Sequence, residues 1–227
     1  SQPLPPDTFR PSYCGRQSGF HYTRNLRRDL LPRLAPVSGT PTLSEFAGYL
    51  RRPWIDTLYF GFDAPAEYMP DYGREVARVA GNAALLLTLN LPESDREPLL
   101  VYFVQRGIDL FGIISAGHPG WHPHGGHGSG RKLPILFAGT LLGESRMLAP
   151  SANFGEDMHT MIAAGPPYGP GWAGDTALFT GHMGLIGESV KIGWGPYEHL
   201  QPRDWRASTG EEYRRCCTSV SWGGQAL

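Results

Sequence analysis

The chain has 227 residues, 41% of them hydrophobic, and its 20 basic and 21 acidic residues leave a net charge of −1. This apolar fraction is typical of a folded domain and excludes general disorder. The near-zero net charge provides no overall field that would attract nucleic acid or an anionic membrane, so recognition of an anion has to be local.

The sequence shows neither a membrane-spanning run nor a targeting segment. It contains no stretch of about 18 apolar residues and no basic segment followed by an apolar core. The chain begins at Ser1 without Met, which fits a processed or trimmed chain. We expect a secreted or periplasmic protein. Three cysteines, Cys14, Cys216 and Cys217, are too few for a disulfide framework. We expect buried thiols, and a bridge from Cys14 to one of the pair stays open.

The first 70 residues predict an N-terminal arm and loops packed on a larger domain. Repeated prolines in residues 1–45 favour an extended strap with at most one helical turn. Residues 51–70 mix aromatic side chains with turn residues, and Pro70 disfavours a helix there. The segment 71–227 is then predicted to be a helical domain.

Two helices with a short connection are predicted next, as an αα-hairpin. Asp71 is placed to cap the first helix, and Ser94 with Glu97 has the spacing of a capping box for the second, which ends near Gly117. Helical periodicity supports both helices. The apolar positions of the first are Val76, Val79, Ala80, Ala83, Leu86 and Leu87, and the stripe of the second is Leu100, Val104, Ile108, Phe111 and Ser115.

A third helix is predicted from Lys132 to Leu142, with Pro134 tolerated in its first turn and Gly143 at its end. Residues 144–207 are rich in Gly and Pro and predict loops, with short strands near 184–194. The fold class predicted is therefore mainly α, with long Gly/Pro-rich loops and few short strands.

The last segment predicts a helix that the chain end interrupts. Thr209 and Glu212 again have capping-box spacing, and we expect Tyr213, Cys217 and Val220 to point inward. An apolar helix normally continues into a cap or a neighbour. We therefore expect the domain to be incomplete at its C-terminus and to be completed by the remainder of its own chain or by another subunit.

Residues 117–132, "GHPGWHPHGGHGSGRK", link the second and third helices and hold four histidines. Imidazoles at these spacings could bring two or three nitrogens onto a zinc ion, although Pro119 and Pro123 exclude the regular geometry of a helical HExxH site. Solvated or hydrogen-bonded histidines are the alternative. The histidines are His118, His122, His124 and His127, and the nearest further candidate ligands are Glu156, Asp157 and His159.

The end of this segment, "GGHGSGRK", has the composition of an anion site. Its glycines allow the backbone to approach a ligand closely, and we expect segment 125–130 to be a loop that lines a concave surface. Arg131 and Lys132 lie where the free N–H groups and the dipole of the third helix favour a carboxylate or a sulfate. Leu133 follows Lys132, so the segment is not a nucleotide-binding P-loop. A solvated charged face is the alternative.

Tyr72 and Arg74, in "YMPDYGREVAR", lie at the beginning of the first helix. In a hairpin this is the end at which the second helix finishes, so Tyr72, Arg74, His127 and Arg131 can meet at one rim. The alternative is that Asp71 only caps the helix and Tyr72 only packs.

A Tyr, a His and arginines around an aromatic-lined cleft are what β-elimination of a uronate polysaccharide requires. A cation neutralises the substrate carboxylate, one side chain removes the C5 proton, and another donor assists the leaving oxygen. The segments "DYGRE", "HPHGGHGSGRK" and "EEYRRCCTSVSWGGQAL" resemble, in arrangement over residues 70–227, the (α/α)-toroid polysaccharide lyases of the alginate-lyase-like and heparinase-like families. Those families often place an Asn beside the catalytic His, whereas here Gly126 precedes His127. A complete toroid needs more helical hairpins than this chain has, so the implied fold is a partial toroid.

The resulting expectation is a carbohydrate-active lyase whose partner is an acidic polysaccharide, acting without a cofactor. His127 and Tyr72 are the predicted acid/base groups. The predicted substrate-binding residues are Arg74, Arg131, Lys132, Trp121, Trp172 and Trp194. Two other functions remain open: a zinc-dependent hydrolase that uses the histidine cluster, and a noncatalytic binding or structural subunit of a larger assembly.

Overall fold

The computed structural model describes residues 3–15, 19–52, 73–122, 128–162, 177–179 and 201–204 and the single residues 174 and 224. These residues are mainly helical, which confirms the predicted class. The helices are α1 (Leu43–Leu50), α2 (Gly73–Leu87), α3 (Glu93–Ser115), α4 (Lys132–Leu142), α5 (Ser145–Leu148) and α6 (Gly155–His159). The short strands are β1 (Gly120–Trp121), β2 (Asn153–Phe154), β3 (Thr160–Ile162) and β4 (Ala177–Phe179).

Helix α3 is the central element, and α1, α2 and α4 pack around it. Its closest neighbour is α4, because Gly107 has no side chain, and a Cβ there would collide with the backbone carbonyl of Pro134. The two helix backbones therefore meet directly. Phe46, Leu87, Phe103, Ile135 and Leu141, contributed by all four helices, are almost fully buried in the resulting core.

Among the described residues, α3 alone is long and apolar enough to cross a membrane by length and composition. Its surroundings are those of the core helix of a folded body. Most of its apolar side chains pack against other helices, and it also buries the charged residues Arg96, Arg106 and Asp109.

The three predicted helices are present, one predicted cap is wrong, and Asp71, the predicted cap of α2, lies outside the described residues. Helix α4 has the predicted bounds, and Gly143 ends it in the left-handed conformation with φ of 69°. Helix α3 begins at Glu93, one residue before the predicted cap Ser94, and Pro92 is its N-cap. The predicted capping box is therefore wrong, because the Ser94 hydroxyl bonds to Asp95 and the Glu97 carboxylate binds Arg28 instead.

The N-terminal arm contributes to the core. Phe9, Leu26 and Leu31 are buried in it, and the Arg27 N–H donates to the Leu141 carbonyl at 2.9 Å. The arm contains two single 3-10 turns, at Thr23–Asn25 and Arg28–Leu30. Helix α1, which follows the arm, was not predicted from the sequence.

Short strands hold the segments around α4 in place. In parallel pairing, Gly120 lies beside Asn153 and Trp121 beside Phe154, while β3 pairs antiparallel with β4. The segment predicted as loop from residue 144 thus contains α5, α6 and three strands within its described part. The strands predicted near 184–194 lie outside the described residues.

The predicted C-terminal helix lies outside the described residues except for Gly224. Gly224 is helical, and a Cβ there would lie 2.6 Å from the Cα of Gly81. The backbone at this position therefore packs directly on α2. Tyr213, Cys217 and Val220 are outside the described residues.

Candidate functional site

The histidine segment starts from a buried anchor. Trp121 exposes only 7% of its surface, and its ring lies 6.1 Å from that of Phe154 and 5.0 Å from that of His118. The Nδ1 of His118 accepts a hydrogen bond from the Gly120 N–H at 3.1 Å. Trp121 was predicted to stack on a sugar, whereas the structure places it in β1 as part of the hydrophobic core.

Within the histidine segment, His122 and Gly128 lie side by side. A Cβ on Gly128 would collide with the backbone carbonyl of His122. Residues 123–127, which include His124 and His127, lie outside the described residues. The backbone at Gly128 therefore lies directly against the backbone at His122.

Gly130 fixes the end of this loop against α2. Its φ is 88°, a conformation that side-chain-bearing residues rarely adopt. A Cβ at this position would also lie 2.6 Å from the Cα of Ala77. The glycines were predicted to allow close approach of a ligand, and at Gly130 the closely approaching group is the backbone of α2.

An anion does lie at the beginning of α4, and the chain itself supplies it. The Oε1 atom of Glu156 accepts hydrogen bonds from the N–H groups of Gly130, Arg131 and Lys132 at 2.7, 3.0 and 3.2 Å. Free N–H groups and the helix dipole favour a carboxylate at such a position. The predicted anion site is thus filled from within by Glu156, which the sequence indicated only as a further metal ligand.

Glu156 and Arg131 form a buried pair. Arg131 is 4% exposed, and its guanidinium donates to the Ser129 carbonyl at 2.6 Å. Burial lowers the pKa of Arg131 to about 10, against the attraction of Glu156. Burial also raises the pKa of the Glu156 carboxyl, which its backbone N–H donors and Arg131 oppose.

Lys132 has a partner near the surface. Its ammonium group forms an ion pair with Asp157 and lies 5.6 Å from the centre of the Phe154 ring. Two of the three cations that were predicted to bind a substrate anion, Arg131 and Lys132, are therefore adjacent to carboxylates of α6. The β1–β2 pairing just before α6 explains this, since it brings residues 155–157 next to the beginning of α4.

Ser129 is a site residue that the sequence did not indicate. It exposes 1% of its surface, and its hydroxyl makes no hydrogen bond with the described residues. A buried hydroxyl without a partner is uncommon. It lies two residues after His127, at the buried end of the loop.

The remaining predicted site residues are only partly described. Tyr72, Trp172 and Trp194 lie outside the described residues, and for Arg74 only the backbone is described, in the first turn of α2. Within the described residues, no group of three or more His, Cys, Asp or Glu side chains is arranged to hold a metal ion.

Cys14 corrects one expectation, because its thiol is free and exposed rather than buried. At the neighbouring Gly15, a Cβ would lie 2.6 Å from the Gly112 carbonyl of α3. The arm backbone itself lies on α3 at this point. Cys216 and Cys217 are outside the described residues.

Comparison of the chain with protein-family models, curated proteins and solved structures finds no match.

Proposed function

We propose that the protein is a secreted or periplasmic carbohydrate-active enzyme that cleaves an acidic, uronate-containing polysaccharide by β-elimination. We also propose that its helical body is part of an (α/α) toroid. One observation carries the proposal: Gly130, three residues after His127, lies directly against Ala77 of α2. The first residues of that helix follow Tyr72. The two predicted acid/base residues therefore flank elements that are in contact.

In the proposed reaction, one of His127 and Tyr72 removes the C5 proton of the uronate. The electrons of the broken C–H bond form the C4–C5 double bond, and the C4–O bond breaks. The other residue gives its proton to the leaving oxygen. The substrate carboxylate has to be neutralised for the C5 proton to become acidic.

The described contacts refine the proposed roles of the cations. Because Arg131 and Lys132 lie beside Glu156 and Asp157, we assign them to holding the loop. Arg74 is then the proposed cation for the substrate carboxylate. Trp172 and Trp194 remain the proposed sugar-stacking residues, since Trp121 is buried.

The test is an assay of the chain against alginate, heparin and chondroitin sulfate, following the absorbance of the unsaturated sugar product. We expect His127→Ala to lower the rate about 10²- to 10⁴-fold, the usual contribution of a general acid or base. Tyr72→Phe should cause a loss of similar size. Circular dichroism should show an unchanged fold, because a loop imidazole adds little packing.

His118→Ala is the matched control, because His118 is an exposed imidazole of the same segment. It should leave most of the activity intact. Comparable losses in His118, His122 and His127 variants, together with loss of bound metal, would instead identify a metal-dependent hydrolase. Absence of unsaturated product from every acidic polymer would overturn the proposal and favour a binding or structural subunit.

A further inference from the structure

A second polar region lies between the N-terminal arm, the end of α1 and the middle of α3. It is a cleft of about 310 Å³, and none of the described residues of segment 117–132 lines it. Tyr13 of the arm is one of its lining residues and is 67% exposed. A single exposed aromatic side chain is ordinary, but this one is held in a fixed position beside a cleft.

A chain of contacts holds the Tyr13 ring. The Arg10 guanidinium lies over the ring, 3.7 Å from its centre, and forms an ion pair of 2.6 Å with Asp109 of α3. Gln105 donates to Asp109 at 3.2 Å and to the Arg10 carbonyl at 3.0 Å. Arg10 covers one face of the ring, which leaves the opposite face for a ligand. An ordered aromatic face of this kind is a stacking surface.

The charged side chains of the cleft are engaged within the chain. Asp109 binds Arg10, and Asp7 accepts hydrogen bonds of 2.7 and 2.6 Å from Arg24. An ion that enters beside paired charges loses hydration without gaining a partner of its own. The cleft therefore favours a neutral ligand. The other arginines in the lining, none of which is without a partner, are Arg51, Arg52 and Arg106.

Neutral polar groups and apolar surface complete the lining. Thr23 and Tyr102 contribute hydroxyls, which can both donate and accept a hydrogen bond. Gln105 donates through its amide nitrogen to the network around Arg10, which leaves its amide oxygen as an acceptor. Leu50 and Val101 add apolar surface.

A sugar ring has the chemistry that this lining requires. Its hydroxyls both donate and accept hydrogen bonds, it carries no charge, and its C–H face can pack on an aromatic ring. The cleft volume is at the lower end of the range of roughly 300–1,000 Å³ for ligand sites, which suits a single sugar unit.

We propose that this cleft binds one neutral sugar unit, with Tyr13 as the stacking residue and with Thr23, Tyr102 and Gln105 as its hydrogen-bonding residues. The cleft is separate from the histidine segment. The proposal therefore goes beyond the proposed reaction and does not depend on it.

The experiment is isothermal titration of the full chain with the methyl glycosides of glucose, galactose, mannose and xylose, and with sodium glucuronate as the charged probe. We expect at least one neutral glycoside to bind more tightly than glucuronate. In Tyr13→Ala, the association constant for that glycoside should fall at least about tenfold, because the stacking contact and the apolar area that it buries are lost. Tyr13→Phe keeps the ring and should bind within about threefold of the wild type, since an exposed hydroxyl contributes little.

Phe20→Ala is the matched control, because Phe20 is an exposed aromatic residue of the same arm that does not line the cleft. It should change the association constant less than about twofold, as expected for a surface substitution outside the site. The circular dichroism of all three variants should be that of the wild type, because both side chains are exposed.

Loss of binding in Tyr13→Ala, with binding retained in Tyr13→Phe and Phe20→Ala, would support the proposal. Four results would overturn it: no binding of any neutral glycoside, tighter binding of glucuronate than of every neutral glycoside, binding that Tyr13→Ala leaves unchanged, or an equal loss in Tyr13→Phe or Phe20→Ala. None of these measurements uses turnover, so they stand whether or not the lyase assay succeeds.

Discussion

Arg131 and Arg106 are two buried arginines with different surroundings. They are 4% and 3% exposed, and burial lowers the pKa of each to about 10. Arg131 lies beside Glu156, a buried carboxylate that also binds three consecutive N–H groups. Arg106 lies on the wall of a cleft, and its neighbour Asp109 already binds Arg10.

The difference teaches how one residue type serves two purposes. Where the fold supplies a buried carboxylate of its own, the arginine and the helix end form a closed structural unit. Where the neighbouring carboxylate, Asp109, is shared with Arg10, the arginine lines a cleft between the arm, α1 and α3. The sequence around each arginine does not distinguish these cases, because the deciding carboxylate is contributed by another part of the chain.

Removing the two carboxylates should produce the largest contrast. Glu156→Ala leaves the N–H groups of Gly130, Arg131 and Lys132 without this acceptor and removes the carboxylate that lies beside the buried Arg131 cation, and we expect it to lower the free energy of unfolding by about 3–5 kcal/mol. Asp109→Ala should cost less, about 1–3 kcal/mol, because Arg10 is one-third exposed and water can replace the pair. Urea unfolding measures both, and equal losses would contradict the distinction between the two arginines.

The second test concerns the contact between Gly130, in the histidine segment, and α2. Gly130→Ala adds a Cβ to a residue with φ of 88° and places it 2.6 Å from the Ala77 backbone. We expect a loss of about 2–4 kcal/mol, from backbone strain together with overpacking. Gly39→Ala is the matched control, since Gly39 has φ of 83° but nothing within 4 Å of its Cβ position.

The control should therefore show the strain alone, about 1 kcal/mol. Thermal unfolding of the two variants separates the contributions. If both lose the same stability, the contact between the loop end and α2 contributes nothing beyond backbone conformation, and the main support for the proposed reaction is lost.

The smallest expected effect is a pH dependence from Glu156. Burial raises its native pKa above the unfolded value of about 4.3. Between these two pKa values the native state holds a proton that the unfolded state has released. The free energy of unfolding should therefore fall as the pH rises through this window, by at most about 1.4 kcal/mol per pH unit.

The comparison variant is Glu156→Gln, which cannot titrate at this position. Urea unfolding of both proteins across the window should show the decrease only in the wild type. A wild type that instead gains stability over the variant as the pH rises would show that the backbone donors and Arg131 outweigh burial.

Local chemistry explains which helices could be predicted. Pro134 and Gly143 mark the beginning and end of α4, because one lacks an N–H and the other tolerates positive φ. Helix α1 had a comparable signal that was missed: Thr42 and Glu45 have capping-box spacing, and the Thr42 hydroxyl accepts from the Glu45 N–H at 3.3 Å. The same spacing at Ser94 was misleading, since α3 begins directly after Pro92 and already includes Ser94.

The sequence by itself determined the mainly helical class and the α4 bounds, since periodicity, caps and helix ends depend on neighbouring residues. Only the tertiary structure decided that Glu156 occupies the N–H groups at the beginning of α4, that Trp121 is buried and Cys14 exposed, and that arginines of the arm, α1 and α3 share one cleft. These outcomes depend on contacts between residues far apart in the chain. Spacing along the sequence carries no information about such contacts.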